Sequence, residues 1–344
     1  MGVCMKSIYG ITIDELEIFI KENNEKKYRA LQIMEWLYIK RVDSFSKMSN
    51  LSQNMIKLLE DNFYFNKMKI VKKEEDKDVF KFLIKLEDNN YIEAVLMNHD
   101  YGNSLCISSQ IGCNMSCKFC ESGRLKRVRN LDCSEMVQQI MMIEKEIGKR
   151  ISHVVVMGIG EPFDNFINLS KFIAIVNYPK GINLGSRHIT VSTSGIVPKI
   201  YEFANLPYQA NLAISLHAPN NTIRDMIMPI NKIYKIEKLI KAVTDYIKIT
   251  NRRVTFEYIM LKDINDSKEN AIELANLLKG INCYVNLIPY NETENIEFKR
   301  TEKSQILKFY DILKKENINV TIRREFGSNI SAACGQLRAR EVKE

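Results

Sequence analysis

From about residue 104 onward, strand-like and helix-like segments alternate, and this constrains the fold more than any other feature of the chain. Short β-rich runs at 105–109, 153–157, 188–193, 211–215, 254–260, 284–288 and 319–323 are separated by segments of helical periodicity, among them 134–147, 235–249, 268–278 and 303–316. The helical pattern at 134–147 follows a capping box of Asp132 and Glu135. Such strand–helix repeats predict an α/β fold around a parallel sheet. About six units fall short of the eight in a closed barrel, so an open, partial (β/α)6 barrel is expected. In that architecture chemistry sits at the C-terminal ends of the strands. The unusual residues fall there: a cysteine loop after the first strand, "GIGEP" after the second, "STSG" at the third, "SLH" at the fourth, "PYN" at the sixth and "RREFGSNISAACGQ" after the last.

Upstream, residues 1–75 read as a small helical domain. Ile13, Leu16, Ile18, Phe19 and Ile20, then "KKYRALQIMEWLYIKR" and "SQNMIKLLEDNF", repeat at helical spacing. The charge run "KKEEDKD" at 72–78 predicts a boundary. "VFKFLIKL" and "YIEAVLM" on either side of "EDNN" predict a β-hairpin extension over 76–100. The barrel is then expected over 101–300, with a last βα unit and a C-terminal loop over 301–344. With 45% hydrophobic and 27% charged residues the chain is an ordinary globular protein, neither disordered nor fibrous. No apolar stretch reaches the ~18 residues that cross a bilayer, and the first residues lack a signal-peptide core. No membrane association and a cytoplasmic location are expected, where thiols stay reduced. The net charge of +8 permits a polyanionic partner.

Four of the eight cysteines lie in "CISSQIGCNMSCKFC" at 106–120. Cys113, Cys117 and Cys120 are spaced C-x3-C-x2-C, so all three can point at one small object. Two readings are open. One is a structural zinc site with Cys106 as fourth ligand, although zinc ribbons usually pair two CxxC knuckles and no second knuckle is present. The other is a [4Fe–4S] cluster held by three cysteines, whose open iron is chelated by S-adenosylmethionine for radical chemistry. Cys4, Cys133 and Cys283 read as inert thiols. Cys334 stands apart, in a loop beyond the last strand and on the same side of the barrel as the cysteine loop.

The segments "CISSQIGCNMSCKFC", "VVMGIGEPFDN", "ITVSTSGIVPKI", "AISLHAPNNTIRDMIMPIN", "RVTFEYIMLKDINDS", "VNLIPYN" and "AACGQL" occur in one order. In that order the chain resembles the radical S-adenosylmethionine methyltransferases that modify adenosine 2503 of 23S rRNA, with an RlmN branch (C2 product) and a Cfr branch (C8 product). The likeness runs from about residue 79 onward, with a helical N-terminal domain of the expected size. It implies a radical-SAM barrel in which Cys113, Cys117 and Cys120 ligate a [4Fe-4S] cluster. Gly160, Glu161, Ser192, Ser215, Leu216, His217 and Asn291 would contact S-adenosylmethionine. It further implies that Cys334 carries the methyl group and that Cys106 resolves a protein–RNA adduct by forming a disulfide with Cys334. Glu93 would be the general base. Without the resemblance, a Gly-Glu pair after a strand is a plain turn, a lone histidine is a core histidine, and Glu93 is a hairpin-edge carboxylate in water.

The implied partners are 23S rRNA, tRNA as a further substrate, and an electron donor such as flavodoxin or ferredoxin, acting on a monomer. "RLKRVRN" at 124–130, with Arg323, Arg324, Arg338 and Arg340 around Cys334, would meet phosphates. The chain departs from the family at Glu121-Ser122, where Ala-Thr is usual, and at Ile159, where Met is common. "RVTFEYIML", "VNLIPYN" and "AACGQLRAR" read closer to the C2 branch. The alternatives are a C8 methyltransferase conferring antibiotic resistance, a zinc-bearing RNA-binding protein without catalysis, and a radical enzyme acting on a small molecule.

Overall fold

The computed structural model describes residues 5–293 and 295–323. The N-terminal part has three helices, α1 (Ile13–Glu22), α2 (Tyr28–Tyr38) and α3 (Gln53–Asn62), between two short paired strands, β1 (Lys6–Ser7) and β2 (Phe63–Tyr64). Helix α1 starts on a capping box in which Thr12 and Glu15 satisfy each other's backbone N–H groups. Ser52 caps α3 by accepting from Met55 N–H. These helices are not a separate body. Leu16, Leu37 and Leu59 belong to one hydrophobic core with Val137, Val154 and Phe172. Arg41 pairs with Glu144 across the junction.

The rest is built on one sheet of ten strands. An antiparallel meander, β3 (Lys69–Asp76), β4 (Val79–Lys85) and β5 (Tyr91–His99), leads into β6 (Gly102–Cys106). Parallel strands then follow in sequence order: β9 (His153–Val156), β10 (Ile189–Thr193), β11 (Asn211–Ser215), β12 (Val254–Met260), β13 (Cys283–Pro289) and β14 (Val320–Ile322). Strands β7 (Gln110–Ile111) and β8 (Arg129–Asn130) form a small separate clip. The connecting helices are α4 (Glu121–Arg124), α5 (Cys133–Ile147), α6 (Phe166–Asn177), α7 (Val197–Ala204), α8 (Asn221–Ile227), α9 (Ile236–Thr250), α10 (Lys268–Leu278) and α11 (Lys303–Lys315).

Two expectations are corrected. The charge run at 72–78 is not a boundary: it lies in β3 and the turn after it. Charged residues suit that position because β3 is the sheet's edge, where charge discourages pairing with another chain. The extension is therefore a three-strand meander continuous with the barrel sheet, not an appended hairpin. The first barrel strand also ends at Cys106 rather than at Ser109, because its ladder with β9 stops there.

Cross-strand partners share a face of a sheet, and successive residues alternate between faces. The register therefore sorts the strands into two surfaces. One carries Leu105, Val154, Val156, Ile189, Val191, Leu212, Ile214, Phe256, Tyr258, Val285, Leu287 and Val320, all buried in the common core with the helices. The other carries Lys81, Glu93, Cys106, Ser192, Ser215, Glu257, Asn286 and Thr321. The polar surface faces inward, because the sheet curls around it. Arg323, just past β14, acts electrostatically on Cys106 at the end of β6. Laid flat, those strands would be six spacings apart, about 29 Å. Among the described residues β14 and β3 are not paired, so the barrel is open.

Arg224, fully buried on α8, ties the strand ends together. Its guanidinium donates to the carbonyls of Leu216 (3.1 Å), Ser194 (2.7 Å) and Ser215 (3.2 Å) and to Asn231 Oδ1 (3.0 Å). Burial lowers its pKa to about 10. Arg224→Met would keep the volume but leave several buried acceptors unpaired. It should lower unfolding free energy in urea by about 3–5 kcal/mol; a loss under about 1 kcal/mol would show that the arginine does not hold the loops.

Candidate active site

The cysteine loop starts where β6 ends. Ile107 N–H donates to Val155 O (3.0 Å), and Ser109 N–H to Ile159 O (2.9 Å), as the chain leaves the regular ladder. The β7–β8 clip pairs Gln110 with Asn130 and Ile111 with Arg129, closing the loop at its base. Within it, Cys113 N–H donates to Leu125 O and Lys118 N–H to Ile227 O, each at 3.0 Å. Met115, Cys117 and Phe119 pack on a small apolar cluster of Ala218, Ile227, Met228, Ile230, Leu261, Tyr290 and Ile296, separate from the main core. The loop is thus anchored, partly buried, against this cluster at the top of the barrel.

"GIGEP" lies against this loop because its glycines permit it. A Cβ on Gly158 would come within 2.5 Å of Ile107 O, and one on Gly160 (φ +110) within 2.6 Å of Gln110 Cβ. Gln110 Oε1 accepts from Glu161 N–H (2.8 Å), while its amide donates to Asp164 (3.0 Å) and Asn130 (2.8 Å). Glu161 is 3% exposed, and its carboxylate accepts from Phe163 N–H (3.0 Å) and Ser194 N–H (2.7 Å). It joins the second and third strand ends, and burial raises its pKa despite those donors.

Ser192 and Ser215 face each other across β10 and β11, Oγ to Oγ 3.5 Å. Leu216 differs: its side chain is fully buried in the core, its N–H donates to Glu257 O, and its carbonyl accepts from Arg224. His217 adopts a left-handed conformation (φ 57°). Its Nδ1 accepts from Ile259 N–H (3.0 Å) and its ring stands edge-on to Phe119 at 4.9 Å. Burial, then Arg224, lowers its pKa to about 3, so the ring is neutral with its proton on Nε2. Asn291 is exposed beyond β13.

On the inner face, β4, β5 and β6 bring Lys81, Glu93 and Cys106 together. Val95 is register partner to both Lys81 and Cys106. Glu93 is 1% exposed and pairs at 3.1 Å with Lys81, itself 0% exposed. The alternative reading of Glu93 as a hairpin-edge carboxylate in water does not hold: β5 lies between two strands and Glu93 is buried. Glu257 was not anticipated. It is 7% exposed, accepts from Asn286 Nδ2 (2.8 Å), and burial raises its pKa. The alternation in "RVTFEYIM" marks it as an acid on the inner face of an otherwise apolar strand.

The basic run after the cysteines is corrected in part. Arg124 faces Glu121, and Arg127 pairs with Asp164. Arg129 binds Glu135 through two nitrogens (2.7 and 2.8 Å) and Asp88 through a third (2.7 Å). Three of its cations therefore brace the loop instead of standing ready for phosphates. Glu121 is buried, with Asn295 Nδ2 3.3 Å from its carboxylate. Cys334, Arg324, Arg338 and Arg340 lie outside the described residues.

Cys113, Cys117 and Cys120 share one loop, and the Cys117 thiol is near enough to both others for them to raise its pKa. Among the described residues no three His, Cys, Asp or Glu side chains are grouped to hold one ion. A cubane of four irons is larger than one ion and is held by soft thiolates, which these three residues can supply. Burial raises all three thiols, so they need a cationic group to become thiolates. The loop fits the cluster. Cys106 is raised by burial to about 11. It is a neutral thiol at pH 7, and its thiolate grows only as pH approaches 11. Iodoacetamide labelling of Cys106, read by peptide mass mapping, should therefore accelerate about tenfold per unit between pH 7 and 10; a plateau below pH 9 would contradict the buried thiol.

Known proteins agree with this geometry. Residues 107–275 match the model of the radical SAM superfamily, and residues 6–64 match the ribosomal RNA large subunit methyltransferase N-terminal domain. The chain is 54% identical, over 97% of its length and 99% of the relative's, to a protein of Acholeplasma laidlawii named "Probable dual-specificity RNA methyltransferase RlmN". It is 53% identical to proteins of the same name from Spiroplasma citri and Enterococcus faecalis, in each case over 98% of both chains. The crystal structure of a radical SAM methyltransferase from Sphaerobacter thermophilus superposes with a TM-score of 0.90 at 38% identity, covering 96% of this chain and 98% of that one. A barrel with three loop cysteines, a shared N-terminal domain and near full-length identity place this chain in the RlmN family of radical S-adenosylmethionine RNA methyltransferases, which use a [4Fe-4S] cluster and S-adenosylmethionine.

Proposed function

We propose that the chain methylates C2 of adenosine 2503 in 23S rRNA. Adenosine 37 of some tRNAs is a further substrate, in keeping with the dual specificity for which its relatives are named. The observation that carries this reading is the meeting of Cys106 with Glu93 and Lys81 on the inner face of the barrel that also bears Ser192 and Ser215. A radical enzyme acting on a small molecule has no need of a thiol paired with a second cysteine. A zinc-bearing binding protein has no need of the cofactor-facing strand ends.

The chemistry explains the two cysteines. C2 of adenine is an electrophilic carbon and does not attack a sulfonium methyl group, so a cysteine must take the methyl first. Cys334 is assigned as that carrier: its thiolate displaces the methyl group from one S-adenosylmethionine, and a second molecule is consumed in the radical step. When bound, the cluster and S-adenosylmethionine would supply the radical that removes a hydrogen atom from the methylthioether, the first electron coming from a donor such as flavodoxin or ferredoxin, and the cluster would take back the one electron left on the adduct. The carbon on Cys334 then joins the ring, and Glu93 accepts the ring proton. Cys106, as a thiolate, attacks the Cys334 sulfur: the bond from that sulfur to the new carbon breaks, the carbon takes up a proton to become the methyl group, and a Cys106–Cys334 disulfide remains. Because Cys106 rests as a neutral thiol, it must lose its proton to attack, and Glu93 and Lys81 are the ionic groups beside it. A reducing cytoplasm would return both cysteines to thiols.

The test is anaerobic incubation of a reconstituted holoenzyme with a reductant, an rRNA fragment and methyl-labelled S-adenosylmethionine, followed by nucleoside mass spectrometry. Label is expected in 2-methyladenosine; 8-methyladenosine would replace the C2 assignment. Cys334→Ala should abolish transfer. Cys106→Ala should accumulate a covalent protein–RNA species on denaturing gels, and wild-type turnover by that variant would remove Cys106 from the mechanism.

A further inference from the structure

The lower mouth of the barrel, at the N-terminal ends of the strands and opposite the cysteine loop, holds a cavity of about 580 Å³. Its lining is Arg187, Thr190, Asn211, Asn251, Arg252, Arg253, Thr255 and Asn282: three arginines and no acid. Arg187 precedes β10, Arg252 and Arg253 precede β12, and Asn282 precedes β13, so consecutive strand starts converge on one space. Among the described residues none of the three guanidiniums has a carboxylate partner. Arg252 donates instead to Asn211 Oδ1, and Arg253 lies over the Tyr284 ring at 4.9 Å. Arg252 Nε is buried with no acceptor.

Elsewhere Arg41, Arg124, Arg127 and Arg129 pair with carboxylates, while Arg29, Arg150 and Arg224 are met singly by amide or carbonyl oxygens; only here, among the described residues, do three guanidiniums line one space. Three unneutralised guanidiniums around a polar, open cavity mark an anion site. The ring stack of Arg253 and the asparagine contact of Arg252 fix the planes of their forks, which lowers the entropy lost on binding an oxyanion. The seven residues of β12 span about 23 Å from this mouth to the upper end. A short stem-loop seated at the upper end would not reach it, whereas a folded RNA domain can touch both.

We propose that the lower mouth, through Arg187, Arg252 and Arg253, is a second RNA-contact site that grips backbone phosphates of a folded RNA remote from the methylated base. This rests on RNA being the substrate. The class of ligand is the phosphodiester backbone, read without regard to base sequence. Phosphate contacts of this kind add affinity with a salt dependence of about one unit of slope in log K against log salt for each contact.

The experiment uses holoenzyme, an rRNA domain fragment that folds around the target adenosine, and the isolated stem-loop carrying it. Affinity is measured by fluorescence anisotropy across a salt series for wild type and for Arg187→Glu/Arg253→Glu, two exposed positions. The expected result is a slope lower by roughly 2 for the domain fragment, unchanged stem-loop affinity, and unchanged S-adenosylmethionine cleavage without RNA. An unchanged slope on the domain fragment would overturn the proposal, as would equal weakening of both RNAs. If wild type binds neither RNA, the RNA assignment itself fails, a separate outcome. Full affinity restored by Arg187→Lys/Arg253→Lys supports a phosphate contact; tripolyphosphate binding lost by the glutamate variant with RNA affinity intact would reassign the cavity to a free oligophosphate.

Discussion

The barrel depends on the two-residue alternation of its strands, which keeps one face apolar for the helices and the other polar for the interior. In a closed eight-unit barrel the interior is filled by branched apolar side chains. Here the inner face mixes Val95, Val155, Ala213 and Ile259 with Cys106, Ser192, Ser215, Glu257 and Asn286, so the interior does not pack as a purely apolar core. Buried polar groups are tolerated there because they pair with one another, as Lys81 does with Glu93 and Glu257 with Asn286.

That inner face acquires chemistry because the cysteine loop is fixed beside its strand ends. The loop is long and irregular, and its precision comes from neighbours. Gln110 bonds to the second strand end, Lys118 to the end of α8, and Phe119 to the ring of His217. The glycines of "GIGEP" allow backbone to lie where any side chain would collide. Arg224 and Glu161 perform the same service between the second, third and fourth strand ends. Each is a buried charge satisfied by backbone groups of several loops, a mode of bracing that fixes geometry more strictly than apolar packing does.

Charge in this molecule is divided between bracing and readiness. The run at 124–130 looks like an RNA-binding stretch, yet Arg124, Arg127 and Arg129 each meet a carboxylate supplied by the fold. Arg187, Arg252 and Arg253 are scattered in sequence and drew no notice there, yet they converge with no carboxylate opposite. A count of cations along the chain cannot separate these cases, because neutralisation depends on which acids the fold brings alongside.

The sequence alone was sufficient for the alternation of strands and helices, the open barrel and the placing of the motifs at strand ends. These follow from periodicity and short spacing, which are local. It placed the first barrel strand too late and took the charged edge strand for a boundary. Ladder length and edge position are set by the partner strand, not by the residues themselves. The burial of Glu93 against Lys81, the role of Leu216 as core, the inner placement of Glu257 and the bracing of Arg129 emerged only from tertiary structure. Each depends on a contact between residues distant in sequence or on the face a strand turns inward, and both are decided when the sheet curls.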